Sequence, residues 1–281
     1  SIHESITLYK PSYFINFAAQ SFVGASWSFP QQTFDVNATA VLHILECLKK
    51  HAPECRLYNA GSSEEFGNVK YTPQDEKHPS EPRNPYAVSK CSARQFIKIY
   101  RESFDLFAIQ CWLFNHESPR RGIEFVTRKI TNGVAKIHHA YKNKKNIEPI
   151  TLGNLNAQRD WTDARDCVRL IWDILNLRKP NEYVIGSGKS YTIKDFINPC
   201  FKSIGVEGVW SGEGVNEKYM CDGDVLIQVS PEFYRPDAIN SWQDIRTADI
   251  SKAKNDLNWN LDSTLEILAT NMVENDINLL A

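Results

Sequence analysis

The stretch CRLYNAGSSEEFG, Cys55–Gly67, decides the fold. Its first half is a short β-forming apolar run and its second half is small and acidic, so it reads as a strand running into a loop. Before it, TFDVNATAVLHILECLKK (Thr33–Lys50) predicts a helix and YFINFAA (Tyr13–Ala19) a buried strand. After it, PRNPYAVSK (Pro82–Lys90) opens a helix running from Tyr86 to about Phe104. Pro85 suits the first helical turn, where its missing N–H would be unpaired anyway. LFAIQCWLF (Leu106–Phe114) is a further strand. Strand, helix, strand, helix, strand predicts an α/β fold, a Rossmann-like parallel sheet with helices on both faces. Ligands of such sheets lie beyond the carboxyl ends of the strands. That singles out FAAQS (Phe17–Ser21), GSSEEFG (Gly61–Gly67) and NHESPRRG (Asn115–Gly122).

Beyond Phe114 the reading is a helix at Phe125 to about Tyr141, a short strand at Pro149–Leu152, a helix at Asp163–Asn176 and a strand at EYVIG, Glu182–Gly186. A helix at Thr192–Ile204, irregular polar segments and a helix from about Asp262 to Leu280 follow. We expect residues 1–115 to belong to the dinucleotide-binding domain, with 163–186 returning to it. Residues 116–281 form mainly a smaller, mixed α/β substrate-binding lobe. Ser1–Lys10 reads like the end of a helix. No G-x-G-x-x-G turn occurs in the sequence, so the pyrophosphate-binding start of such a sheet is missing from it.

A net charge of -2 and a pI near 6.4 give no global attraction for nucleic acid or an anionic membrane. An anionic ligand must then be held by local arginines. Seven cysteines, odd in number and never spaced C-x-x-C, argue against a disulfide framework and a zinc site, and fit a reducing cytoplasm. We find no apolar run long enough to span a bilayer, no signal peptide and no expected metal.

Tyr86 and Lys90 are four apart, so one helical face carries both, and the cation favours the phenolate. The spacing alone is weak, because Tyr141 and Lys145 repeat it in a lysine-rich run that reads as a solvated helix end. Ser62 and Glu64 follow a strand. They read either as an N-cap serine with solvated acids, or as a hydroxyl and a base for proton transfer. The helix that returns Tyr86 and Lys90 to the same end of the sheet favours chemistry.

FNHESPRRG (Phe114–Gly122), FVTRKI (Phe125–Ile130), LGNLNAQRDW (Leu152–Trp161) and FYRP (Phe233–Pro236) carry a resemblance. From about Tyr13 to the carboxyl terminus, the chain resembles the extended short-chain dehydrogenase/reductases, and among them the GDP-mannose 4,6-dehydratase family. The resemblance implies redox-neutral dehydration of a GDP-sugar, with NADP taking hydride from C4 and returning it at C6. It implies that Tyr86 takes the 4-hydroxyl proton, Ser62 hydrogen-bonds that oxygen, Lys90 lowers the tyrosine pKa and holds the ribose, and Glu64 removes the C5 proton. It assigns Phe17, Ala18, Ala19, Gln20, Ser21, Lys90, His116 and Arg121 to the cofactor, and Asn115, Lys129, Arg159 and Arg235 to the nucleotide diphosphate. By the residues alone, His116 is also readable as a structural loop histidine and Arg159, beside Asp160, as half of an ion pair. Asp237 and Ala238 depart from the threonine and glutamate usual after YRP. The resemblance further implies a homodimer or homotetramer. Competing readings are a GDP-4-keto-6-deoxymannose reductase, another nucleotide-sugar dehydratase, and a non-catalytic sugar-nucleotide-binding subunit. NHESPRRG favours the dehydratase, and Ser63 stands where a dTDP-glucose dehydratase carries aspartate.

Overall fold

The helix carrying Tyr86 and Lys90 starts where its local chemistry dictates. The side-chain oxygen of Asn84 accepts the Ala87 N–H at 2.8 Å, and Pro85 fills the first helical position. The helix runs Pro85–Phe104 and stops where Asp105 turns left-handed, with φ at 54°. Its inner face, including Ala87, Lys90, Ala93, Arg94 and Ile97, is buried. Helix Ala40–His51 buries Val41, Ile44, Leu45 and Leu48, an apolar stripe at helical spacing. These residues, with Ile6, Leu57 and Ala108, form one core.

A computed structural model describes residues 1–234 and 245–280, which fall into two units. The first comprises Ser1–Phe114, Val168–Gly186 and Ala248–Asn260. Its sheet has the order Tyr13–Asn16, Arg56–Ala60, Ala108–Leu113, Val184–Ile185, with every pair parallel. All six residues of Ala108–Leu113 are buried, as a central strand covered on both faces requires. Segment Ala248–Asn260, unexpected in this unit, docks through Asp249 N–H on the Gln74 carbonyl at 2.8 Å and Lys252 Nζ on the Glu182 carbonyl at 2.6 Å.

The second unit comprises Asn115–Cys167, Ser187–Thr247 and Leu261–Ala281, described here without 235–244 and 281. Helices Val126–Lys142, Ile193–Lys202 and Leu265–Leu280 enclose its core. Arg128 pairs with buried Asp276 at 2.6 Å, and Asp276 also accepts the Thr131 hydroxyl at 2.7 Å. The expected strand at Pro149–Leu152 is Ile150–Leu152, and it joins a sheet with Val209–Ser211, Lys218–Cys221 and Asp224–Val229, three strands that replace the expected irregular polar segments. The hairpin between the second and third of these turns at Asp222-Gly223, with φ values of 49° and 90°. Two positive φ values at Asp-Gly are what a two-residue hairpin demands.

The expected single helix Thr33–Lys50 is instead Pro30–Phe34, a π-helical segment Asp35–Thr39, and Ala40–His51. The widened turn buries Asn37, whose Oδ1 accepts the Gln20 N–H at 2.9 Å and whose Nδ2 donates to the Ser89 hydroxyl at 3.1 Å. The expected buried strand Tyr13–Ala19 shortens to Tyr13–Asn16, which lies at the edge of the sheet with only Asn16 buried, and Phe17–Ser21 is a loop beyond its carboxyl end. Among the described residues, no helix is long and apolar enough to cross a membrane.

After strand Arg56–Ala60 the loop is locked at Gly67, whose φ is 57° and where a Cβ would lie 1.6 Å from the Glu81 carbonyl oxygen. Gly67→Ala combines left-handed strain with a backbone clash. It should cost at least about 2 kcal/mol in urea unfolding, and an unchanged midpoint would contradict this geometry.

Candidate active site

Ser62 terminates the first unit's second strand and caps a short 3-10 turn, Ser63–Phe66, accepting the Glu64 N–H at 3.2 Å. The turn is closed reciprocally: the Glu65 carboxylate accepts the Ser62 N–H at 2.8 Å, the S-x-x-E capping box. Ser62 is therefore an N-cap, but of the two acids only Glu64 retains access to solvent. Glu64 is half-buried, and its Oε2 accepts from Asn84 Nδ2 at 3.1 Å. One asparagine thus caps the Pro85–Phe104 helix and ties Glu64 to its start.

Tyr86 and Lys90 are both buried, and the Lys90 ammonium lies 5.8 Å from the Tyr86 ring centroid. Lys90 Nζ donates to the Ala60 carbonyl at 2.8 Å, at the end of the strand that leads to Ser62. Burial pushes its pKa down to about 8, with Glu65 pulling the other way. It remains a cation at neutral pH. Ser62, Glu64, Tyr86 and Lys90 are thus gathered at the carboxyl end of one sheet. Phe17–Ser21 follows the neighbouring strand, held by the Ala18 N–H on Asn16 and the Gln20 N–H on Asn37. Tyr141 and Lys145 share no helical face, because their helix ends at Lys142.

The other assigned residues that the structure describes lie in the second unit. Asn115 and His116 are on a strand paired with Trp161 and Thr162. Arg121 stacks on Phe125, guanidinium carbon 3.4 Å from the ring centroid, and faces Glu117 at 3.3 Å. Burial raises the Glu117 pKa, while Arg121 and the Thr127 hydroxyl oppose it. Lys129 is exposed, its ammonium 5.0 Å from the Phe233 ring centroid. Arg159 donates to the Gln158 carbonyl at 2.6 Å, and the buried Asp160 beside it accepts the Ser187 and Gly188 N–H groups at 2.6 and 3.0 Å. Lys129, Asn132, Lys136, Glu148 and Thr151 line a cavity of about 500 Å³ in this unit. Arg235, with Pro236, Asp237 and Ala238, lies outside the described residues.

Four groups escaped the sequence reading. Asn84 had a signal, standing immediately before the helix-starting proline. Glu65 had one in Ser62-x-x-Glu65. Asn37 and Arg94 had none, since their partners are distant in sequence.

Solved structures share this architecture. "Structure of RMD from Pseudomonas aeruginosa complexed with NADPH" superposes with a TM-score of 0.81 over 98% of this chain and 86% of that one, at 18% identity. A dTDP-glucose 4,6-dehydratase from Bacillus anthracis in complex with NAD gives a TM-score of 0.72 over 97% and 74%, at 20% identity. At such identities the likeness establishes the fold alone.

The GDP-mannose 4,6 dehydratase family profile matches residues 1–272. GDP-mannose 4,6 dehydratase of Drosophila melanogaster is 39% identical over 100% of this chain and 70% of its own, and that of Homo sapiens 37% over 96% and 72%. The chain belongs to the GDP-mannose 4,6-dehydratase family.

An ammonium has three N–H donors, and one of those on Lys90 goes to Ala60.

The buried ammonium sets a pH dependence. With a native pKa near 8 and an unfolded one of about 10.4, the unfolded chain binds more protons between these values, so stability rises with pH across that window. Lys90→Met should be more stable than the parent at pH 7, by roughly 2 kcal/mol, and lose that advantage as pH approaches 10. Urea unfolding at both pH values checks this, and a pH-independent difference would contradict it.

Proposed function

We propose that this protein dehydrates GDP-mannose to GDP-4-keto-6-deoxymannose with NADP. The observation that supports this best is Tyr86 and Lys90 buried together on one helix, with Glu64 tied through Asn84 to the start of that helix. When bound, NADP supplies a hydride acceptor for C4 and returns the same hydride at C6.

The protein moves the protons. Tyr86, held as phenolate by the adjacent cation, takes the 4-hydroxyl proton while the Ser62 hydroxyl donates to that oxygen. Lys90 uses its remaining N–H donors on the ribose hydroxyls. A C4 ketone acidifies C5–H, and Glu64 removes that proton and gives it to the departing 6-hydroxyl, which leaves as water. After hydride addition at C6, Tyr86 returns to C5 the proton it took from the 4-hydroxyl, so the sugar has lost one water and no net electrons and both side chains regain their starting protonation. Burial serves this chemistry by excluding solvent from the phenolate and the ammonium.

By family resemblance, Phe17–Ser21, His116 and Arg121 serve the cofactor, and Asn115, Lys129, Arg159 and Arg235 serve the nucleotide diphosphate. Arginine suits diphosphate because its planar fork donates two parallel hydrogen bonds. The cavity beside Lys129 has a volume of about 500 Å³, within the usual range of ligand pockets. Seven free thiols suit a reducing cytoplasm, and the family suggests a homodimer or homotetramer.

Tyr86→Phe should lower turnover by at least ~100-fold, with the GDP-mannose dissociation constant unchanged by calorimetry. Tyr141→Phe should be silent. Glu64→Gln should form no product lighter by one water in mass spectrometry. Wild-type turnover by the Tyr86 or Glu64 variant would overturn the corresponding assignment.

A further inference from the structure

Three side-chain amides cross the parallel sheet of the first unit in register. Asn16 is the Cα partner of Asn59, and Asn59 of Gln110, so the three lie side by side on adjacent strands. All are buried. Such positions in a sheet covered on both faces are ordinarily apolar, and burying an amide is costly unless its hydrogen bonds are made.

Here they are made, and they all point one way. Asn16 Nδ2 donates to Asn59 Oδ1 at 2.7 Å, Asn59 Nδ2 to Gln110 Oε1 at 2.7 Å, and Gln110 Nε2 to Glu65 Oε1 at 3.1 Å. Both ends dictate that direction. At one end the Ala18 backbone N–H, which can only donate, reaches Asn16 Oδ1 at 3.2 Å. At the other, an ionised carboxylate can only accept. Glu65 is fully buried against Arg94, with Nε at 2.6 Å from Oε2 and Nη2 at 3.2 Å from Oε1. Its Oε1 also receives the Ser62 N–H at 2.8 Å, while Gln110 Nε2 further donates to the Lys90 carbonyl at 2.9 Å.

We propose that Glu65 is a positioning residue: its carboxylate orients the Asn16–Asn59–Gln110 ladder and so fixes Ser62 and the Phe17–Ser21 turn in one arrangement. The catalytic meaning of those two segments rests on the function proposed above, but the ladder itself does not. A buried ion pair is weak evidence for a purely stabilising role, whereas hydrogen-bonded chains of one polarity strengthen cooperatively. Glu65→Gln would turn an NH₂ group on donors that surround the carboxylate and loosen that end of the ladder, whose direction would then rest on the Lys90 carbonyl and the Ala18 N–H alone.

The test compares wild type, Glu65→Gln and Asn59→Leu, the last cutting the ladder while sparing the ion pair. In Glu65→Gln, hydrogen exchange at the Ser62 and Ala18 amides should quicken by about 10-fold or more, the scale of a lost hydrogen bond to a charged group. The Ile97 and Leu45 amides should stay within about 3-fold of wild type, and kcat should fall about 10-fold with KM nearly unchanged. In Asn59→Leu, Ala18 alone should quicken. Unchanged Ala18 exchange in either variant, or an equal rise at Ile97, would overturn the proposal. If Glu65→Gln does not fold, the Ala18-only response of Asn59→Leu decides. Absence of dehydrated product from the wild type would refute the function instead, and the exchange pattern would still judge the ladder.

Discussion

Glu65 and Arg94, buried together at the carboxyl end of the parallel sheet, are the contact on which the local architecture depends. Arg94 stacks on Trp112, its guanidinium carbon 3.5 Å from a ring centroid, and donates to the Gln110 carbonyl at 2.6 Å, so it is held by the strand beneath it. Glu65 closes the capping box on Ser62. Removing either partner strands a buried charge, a change that typically costs about 3–5 kcal/mol. The pair joins the helix that carries Tyr86 and Lys90 to the loop that carries Ser62 and Glu64. The candidate groups from these two segments are thereby held by one ion pair, one cap and one asparagine.

Much of this was legible in the sequence wherever the cause was local. Pro85 announced the helix start, and alternation of strands and helices announced a parallel sheet. The Ser62, Glu64, Tyr86 and Lys90 set could be read because strand ends and helix starts fall together in such sheets. The π-helical segment at Asp35–Thr39 could not, because Asn37 answers to Gln20 and Ser89, which come from other parts of the chain. Arg94 and Glu65 are 29 residues apart, and each alone reads as a surface charge. The hairpin at Asp222-Gly223 carried a local signal that our reading passed over. Docking of Ala248–Asn260 carried none, since its hydrogen bonds go to the backbone carbonyls of Gln74 and Glu182, far away in sequence.

The two units differ in the kind of work their residues suit. The first buries Lys90 beside the closely paired Glu65 and Arg94, an arrangement suited to proton transfer in a dry site. The second presents Lys129 and Arg159 at its surface, with aromatic and backbone partners. Exposed cations suit ground-state binding of an anion, and such binding adds little to the chemical step. The separation agrees with a reaction in which the nucleotide anchors and the hexose reacts.

The central claim is that hydrogen leaves C4 and returns within the same sugar at C6. GDP-mannose deuterated at C4, supplied to the protein with unlabelled NADP, tests it directly by mass spectrometry and NMR of the product. The account predicts a sugar lighter by one water that carries the deuterium at C6. A product that keeps its full oxygen count, or a dehydrated one from which the deuterium has been lost, would contradict it.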